Sequence, residues 1–150
     1  MLRQGNSAIR RDAGRVSMAV AALAACLAGA AQAQDFTTAA EVKPILTATK
    51  ANWIALREYE GQDLLYFTQI ISWRCGLSEL RYAVNGAAPE AWPLHDCVDG
   101  TGQPANAIMP DTLLYATFNL GSVAEVTVTL VYDDGSEDTA TYARAAIVMP

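Results

Sequence analysis

In the last third of the chain, apolar side chains recur at every second position. Val126, Val128, Leu130 and Tyr132 alternate with Thr127, Thr129 and Val131, the period of a strand with one buried face. Asp133-Asp134-Gly135 breaks the run, and residues 137–149 read as the returning strand. Parity chooses the register. A two-residue turn at 134–135 would set Val128 opposite Thr141 and Leu130 opposite Thr139. A three-residue loop at 133–135 sets Val126 opposite Tyr142 and Val128 opposite Ala140. The second gathers apolar groups on one face and puts Gly135 where a left-handed residue is needed. Upstream, Thr112–Leu120 reads as another strand, closed by Gly121-Ser122.

The first half is less regular. Val42, Ile45 and Leu46 recur at helical spacing, which predicts a short helix over 41–51. Its start has two signals. Thr38-x-x-Glu41 has the form of a capping box, whereas Pro44 favours a later start, because proline is best tolerated where its missing N–H would be free anyway. The sequence reading follows the proline. Trp53–Tyr59 is rich in strand formers, and Gly61-Gln62-Asp63 reads as a turn. Leu64–Arg74 is apolar on both alternating faces, which predicts a central strand covered on both sides. Cys75–Ser78 turns the chain, Leu80, Tyr82 and Val84 form a further strand, and Asn85-Gly86 ends it. Residues 86–111, rich in Gly, Pro, Ala and Asp, read as one long connection.

These segments predict a mainly β fold. It has one short N-terminal helix and about six antiparallel strands in a small sandwich or a curled sheet with the helix on it. The strands fall into two meanders, 52–85 and 112–149.

Residues 1–33 have a different texture. Arg3, Arg10, Arg11 and Arg15 make a basic start offset only by Asp12, Val16–Ala31 carries no charge, and Ala31-Gln32-Ala33 follows. This is the pattern of a cleaved signal peptide. The apolar run is shorter than the roughly 20 residues a membrane span requires, so no span is expected after cleavage. Leu23-Ala24-Ala25-Cys26 resembles a lipoprotein box and provides the alternative of a lipid anchor at Cys26, although the apolar run continues past that cysteine. Arg10-Arg11 alone is a weak twin-arginine signal. The reading is a leader over 1–33 and a single domain over 34–150, placed in the periplasm or outside the cell.

Export changes the meaning of the cysteines. Cys75 and Cys97 remain, an even count in an oxidising compartment, which predicts a disulfide between them. It also accounts for the long connection, which Cys97 would tie down. A Cys97 nucleophile with His95 as base is disfavoured because the two lie two positions apart on one segment, whereas a catalytic Cys and His usually come from separate elements, and by the available partner thiol. One His and two Cys without paired spacing provide no zinc set, the acidic turns lack calcium-loop spacing, and no cofactor motif is present.

Charge narrows the partners. The chain has 10 basic and 16 acidic residues, a formal charge of −6. Loss of the leader removes four Arg and one Asp and leaves −9. Nucleic acid is a poor partner for such a chain. The acidic turn at Asp133, Asp134, Glu137 and Asp138 reads as backbone chemistry rather than catalysis. Candidate binding residues are Trp92, as a rigid ring exposed in a loop, and Arg57 with Arg81, as a basic stripe if their strands are neighbours. The alternative for these arginines is pairing with Glu58 or Glu79. The reading is an exported, non-catalytic interaction module of a bacterial cell envelope that meets a protein or an envelope glycan. A carboxylate-based hydrolase is the alternative, recognised by two carboxyl groups facing each other across a pocket.

Overall fold

The computed structural model describes residues 35–99 and 102–150. The leader and Cys26 lie outside the described residues. Strands β1 (Ala55–Tyr59), β2 (Gln62–Tyr66) and β5 (Tyr115–Asn119) form one antiparallel sheet in the order β1-β2-β5. Strands β3 (Leu77–Val84), β4 (Glu90–Trp92), β6 (Glu125–Tyr132) and β7 (Glu137–Ala143) form a second, in the order β4-β3-β6-β7. Helices α1 (Ala39–Ala48), α2 (Thr68–Ile71) and α3 (Arg144–Ile147), with 3₁₀ turns at Lys50–Asn52 and Arg74–Gly76, complete the described elements. The mainly β class follows the sequence pattern. The additional strand is β4, too short at three residues to show a period.

Both sheets and α1 bury one shared core. Leu56 and Leu65 enter it from the first sheet, Leu80, Val128 and Leu130 from the second, and Val42 and Leu46 from α1, with Trp53 fully buried among them. The Trp53 indole N–H donates to the Leu46 carbonyl at 2.8 Å, so its one polar atom is satisfied inside the core.

The β6–β7 hairpin has the register that parity selects. Val126 pairs with Tyr142 and Val128 with Ala140, and Gly135 closes the three-residue loop at φ +78°. The β1–β2 hairpin is tighter than its turn residues suggest. Tyr59 pairs with Gln62, leaving Glu60 and Gly61 as a two-residue turn with φ +49° and +78°, the signs a primed turn requires.

Three expectations need correction. Helix α1 begins at Ala39, well before Pro44, which sits inside it. The Glu41 carboxylate accepts the Thr38 N–H at 3.2 Å and the Thr38 hydroxyl at 2.9 Å, and the Ala39 N–H donates to the Asp133 carboxylate at 2.8 Å. With its first donors satisfied in this way, the helix keeps its early turn despite the proline. The expected strand 64–74 ends at Tyr66. Beyond the Phe67 N–H bond to the Leu114 carbonyl, 2.9 Å, the chain coils through α2 and a 3₁₀ turn, Arg74–Gly76. A continuous apolar run fits a buried helix as well as a buried strand, and here it carries the chain from one sheet to the other. The first meander is therefore split: β3 pairs with β6 rather than β2, and β5 pairs with β2. Finally, the returning strand stops at Ala143. After α3, Val148 forms a parallel bridge to Leu56, and the Met149 N–H donates to the Leu56 carbonyl at 2.8 Å.

Candidate functional site

The long connection is organised from its interior. Arg74 is 2% exposed, and its guanidinium meets backbone carbonyls only. Nε donates to His95, one terminal nitrogen to Ile71 and Asn106, and the other to Asp96 and Ala107, all within 3.0–3.3 Å. These five bonds use the full donor set of an arginine. Burial without a carboxylate pulls its pKa down from the ordinary value. Next to it, the Cys75–Cys97 disulfide forms as the cysteine count predicts. The Asn106 side chain completes the clamp, accepting the Cys75 N–H at 2.9 Å and donating to the Phe36 carbonyl at 2.8 Å. The guanidinium, the disulfide and the Asn106 amide thus hold residues 95–97 and 105–107.

Trp92 is not the exposed ring expected. It is 6% exposed, because β4 pairs Trp92 with Leu80 and turns the indole inward, 4.4 Å from the Phe67 ring and 5.9 Å from Tyr82. The arginine stripe is also absent. Arg57 lies on β1 and Arg81 on β3, strands of different sheets. Arg81 is paired with Glu79 at 3.3 Å and Glu137 at 2.6 Å, the ion-pairing alternative. His95 is exposed, and its Nε2 accepts the Leu113 N–H at 3.3 Å.

Arg57 belongs to a different surface. The registers β1–β2 and β2–β5 put Arg57, Leu64 and Thr117 in one row across the three-stranded sheet. Tyr59, Gln62 and Asn119 form the next row, and Ala55, Tyr66 and Tyr115 the row at the far end. Alternation sends Leu56 and Leu65 into the core, so these nine side chains share the outer face. None of them is acidic. Tyr59 is 47% and Tyr115 41% exposed. The Tyr66 and Tyr115 rings meet at 5.0 Å, and the Arg57 guanidinium lies 4.9 Å from the centre of the Tyr59 ring, a cation–π contact. At the Tyr66 end the face runs into a cleft of about 320 Å³, whose lining includes Asn52, Thr68, Gln69 and Met149.

The acids of the same strands are on the other side. Asp63 is fully buried and accepts two bonds from the Arg144 guanidinium, at 2.7 and 2.8 Å, and one from the Val123 N–H at 3.2 Å. Arg144 above all, with the backbone donors, holds its carboxyl down at about 2. Glu58 meets the same guanidinium. One arginine therefore pairs with the carboxylates of the two strands, Glu58 and Asp63, and draws them away from the open face, while Glu60 stands exposed in the turn between the strands.

Comparison with family models, with curated proteins and with solved structures returns no match.

Asp134 and Asp138, in the β6–β7 hairpin, have local partners. The Asp134 carboxylate accepts the Ser136 hydroxyl and N–H, which lower its pKa. Asp138 pairs with Lys50 at 3.3 Å and accepts the Tyr132 hydroxyl at 3.1 Å. Burial, more than this carboxylate, pushes the Tyr132 phenol well above its ordinary range. The cleft beside α1 has Asp134 in its lining and the cleft at Phe36 and Trp73 has Asp35. None of the three clefts is lined by two carboxyl groups. Sequence reasoning missed Tyr59, Tyr66 and Tyr115 as a group. Their alternation was visible strand by strand, but the pairing of β2 with a strand some fifty residues away was not.

Proposed function

We propose that this protein is an exported, non-catalytic binding module of a bacterial cell envelope, and that it meets its partner on the outer face of the three-stranded sheet. The single observation carrying the proposal is the composition of that face. In a chain of formal charge −6, it presents three tyrosines, an arginine and three uncharged polar side chains without one carboxylate. An exposed aromatic surface with planar polar neighbours is the composition of recognition surfaces.

Support for export comes from the basic, apolar and small-residue pattern of residues 1–33 and from the Cys75–Cys97 bond, which suits an oxidising compartment. Among the described residues no helix is long and apolar enough to cross a membrane. The proposal involves no cofactor.

Two measurements test this reading. Mass spectrometry of the protein from its native cells should find Gln34 at the N-terminus, and retention of residues 1–33 would overturn export through this leader. In sedimentation with isolated envelopes, the protein should be retained. A variant combining R57A, Y59A and Y115A should lose that retention about a hundredfold, a loss of about 2.7 kcal/mol. Equal retention of a folded variant would remove the face from the proposal.

A further inference from the structure

We infer that the ligand of this face is an uncharged polysaccharide, its sugar rings laid against the tyrosines. The inference rests on the binding-module reading above and assigns it a ligand class. Three features of the face carry it: size, charge and the spacing of its rings.

Size comes first. Three strands five residues long present a strip roughly 10 Å wide and about 17 Å long, an area on the order of 200 Å². A stable protein partner covers about 800 Å² on each side. The strip is too small for that, but it matches the length and width of a short stretch of polymer chain.

Charge comes second. The face has no carboxylate to attract a cationic ligand. Its single cation, Arg57, lies over the Tyr59 ring, and among the described residues no carboxylate pairs with it. A polyanion approaching it would meet the field of a chain in which 16 acids outnumber 10 bases, and that field opposes association. An uncharged ligand escapes both objections.

The third feature is the arrangement of the rings. Tyr59 stands at the turn end of the β1–β2 hairpin, and the Tyr66–Tyr115 pair stands at the opposite end. The two stations are four residues apart along the strands, about 13 Å. A pyranose has a face rich in C–H groups and a rim of hydroxyls. Its face buries apolar surface on a tyrosine ring, while its rim needs donors and acceptors in fixed geometry. Gln62 and Asn119 follow Tyr59 along the same row and offer planar amides for neighbouring hydroxyls, and the Arg57 guanidinium offers a fork of donors. The cleft at the Tyr66 end, mostly apolar with Asn52, Thr68 and Gln69 in its wall, gives a recess for a further ring. Nothing in this arrangement cleaves the polymer; it holds it.

Affinity electrophoresis through gels containing a soluble β-glucan, a galactomannan, a xylan or polygalacturonate tests the inference. The protein is used as secreted by cells expressing it with its own leader. The expected result is retardation by at least one of the three neutral polymers, with little dependence on salt. Y59A and Y115A should each weaken it by about tenfold while the melting temperature stays within a few degrees of the parent. Retardation by polygalacturonate alone would overturn the inference, as would neutral binding unchanged in both variants. If no neutral polymer binds while envelopes are still retained through the face, the ligand class is wrong and the binding module stands. If envelopes are not retained either, the binding module falls with it.

Discussion

Arg74 and Arg144 show how differently one residue type can be used. Arg74 organises carbonyls and has no counter-charge, whereas Arg144 gathers two carboxylates. The second arrangement gives the protein an acid limb. Because the Asp63 carboxyl is depressed from 3.8 to about 2, the native state favours its ionised form. The stability from this group is complete above pH 4 and lost as pH falls towards 2. D63N should cost about 3 kcal/mol at neutral pH, since it removes the charge at a fully buried position and turns an amide NH2 towards the guanidinium, and should flatten the acid dependence between pH 4 and 2. Urea unfolding at a series of pH values, followed by tryptophan emission, measures both effects. The sequence showed these residues unevenly. The disulfide needed only an even count and a compartment. The fate of Trp92 depended on a three-residue strand, and that of Arg57 on which sheet face stays uncovered, neither of which has a local signature.

At the scale of elements, close approach decides what a pattern leaves open. Helix α1 packs on the 3₁₀ turn at Arg74–Gly76 so tightly that a Cβ on Gly76 would collide with Val42 and stand 2.7 Å from the Thr38 carbonyl oxygen. G76A is therefore expected to destabilise the protein by about 3 kcal/mol, the upper range for overpacking. Thermal unfolding of the purified variant checks this; an unchanged midpoint would contradict the packing described. The strands β6 and β7 were legible with their mutual register because one face is buried and the other is not, whereas β3 was legible as a strand but not in its pairing. The run 64–74 was not, because burial on every side erases the period that tells a strand from a helix. The start of α1 was legible in the Thr38–Glu41 box, but the Asp133 cap that supports it comes from ninety-four residues away.

The whole molecule depends on a connection closed by one covalent bond. The Cys75–Cys97 link spans 22 residues, and the chain-entropy relation puts its effect at roughly 3 kcal/mol. Reduction should lower stability by about that amount, measurable as a shift in the urea midpoint with and without reductant. Free-thiol titration of the native, oxidised protein should find neither Cys75 nor Cys97 reactive. The fold class came from composition and period. The split of the first meander across two sheets did not, because pairing between distant strands is written in no single segment.

The sheet that carries the tyrosines is closed on one flank and open on the other. Val148 and Met149 bond to Leu56 along β1, while the outer backbone of β5 has no strand beside it among the described residues. Growth by successive strand addition requires two vacant flanks per copy. Through this sheet, two molecules can join edge to edge along β5, and a third would have to displace the C-terminal segment from β1 to attach. Self-association by that route ends at a pair rather than a fibre.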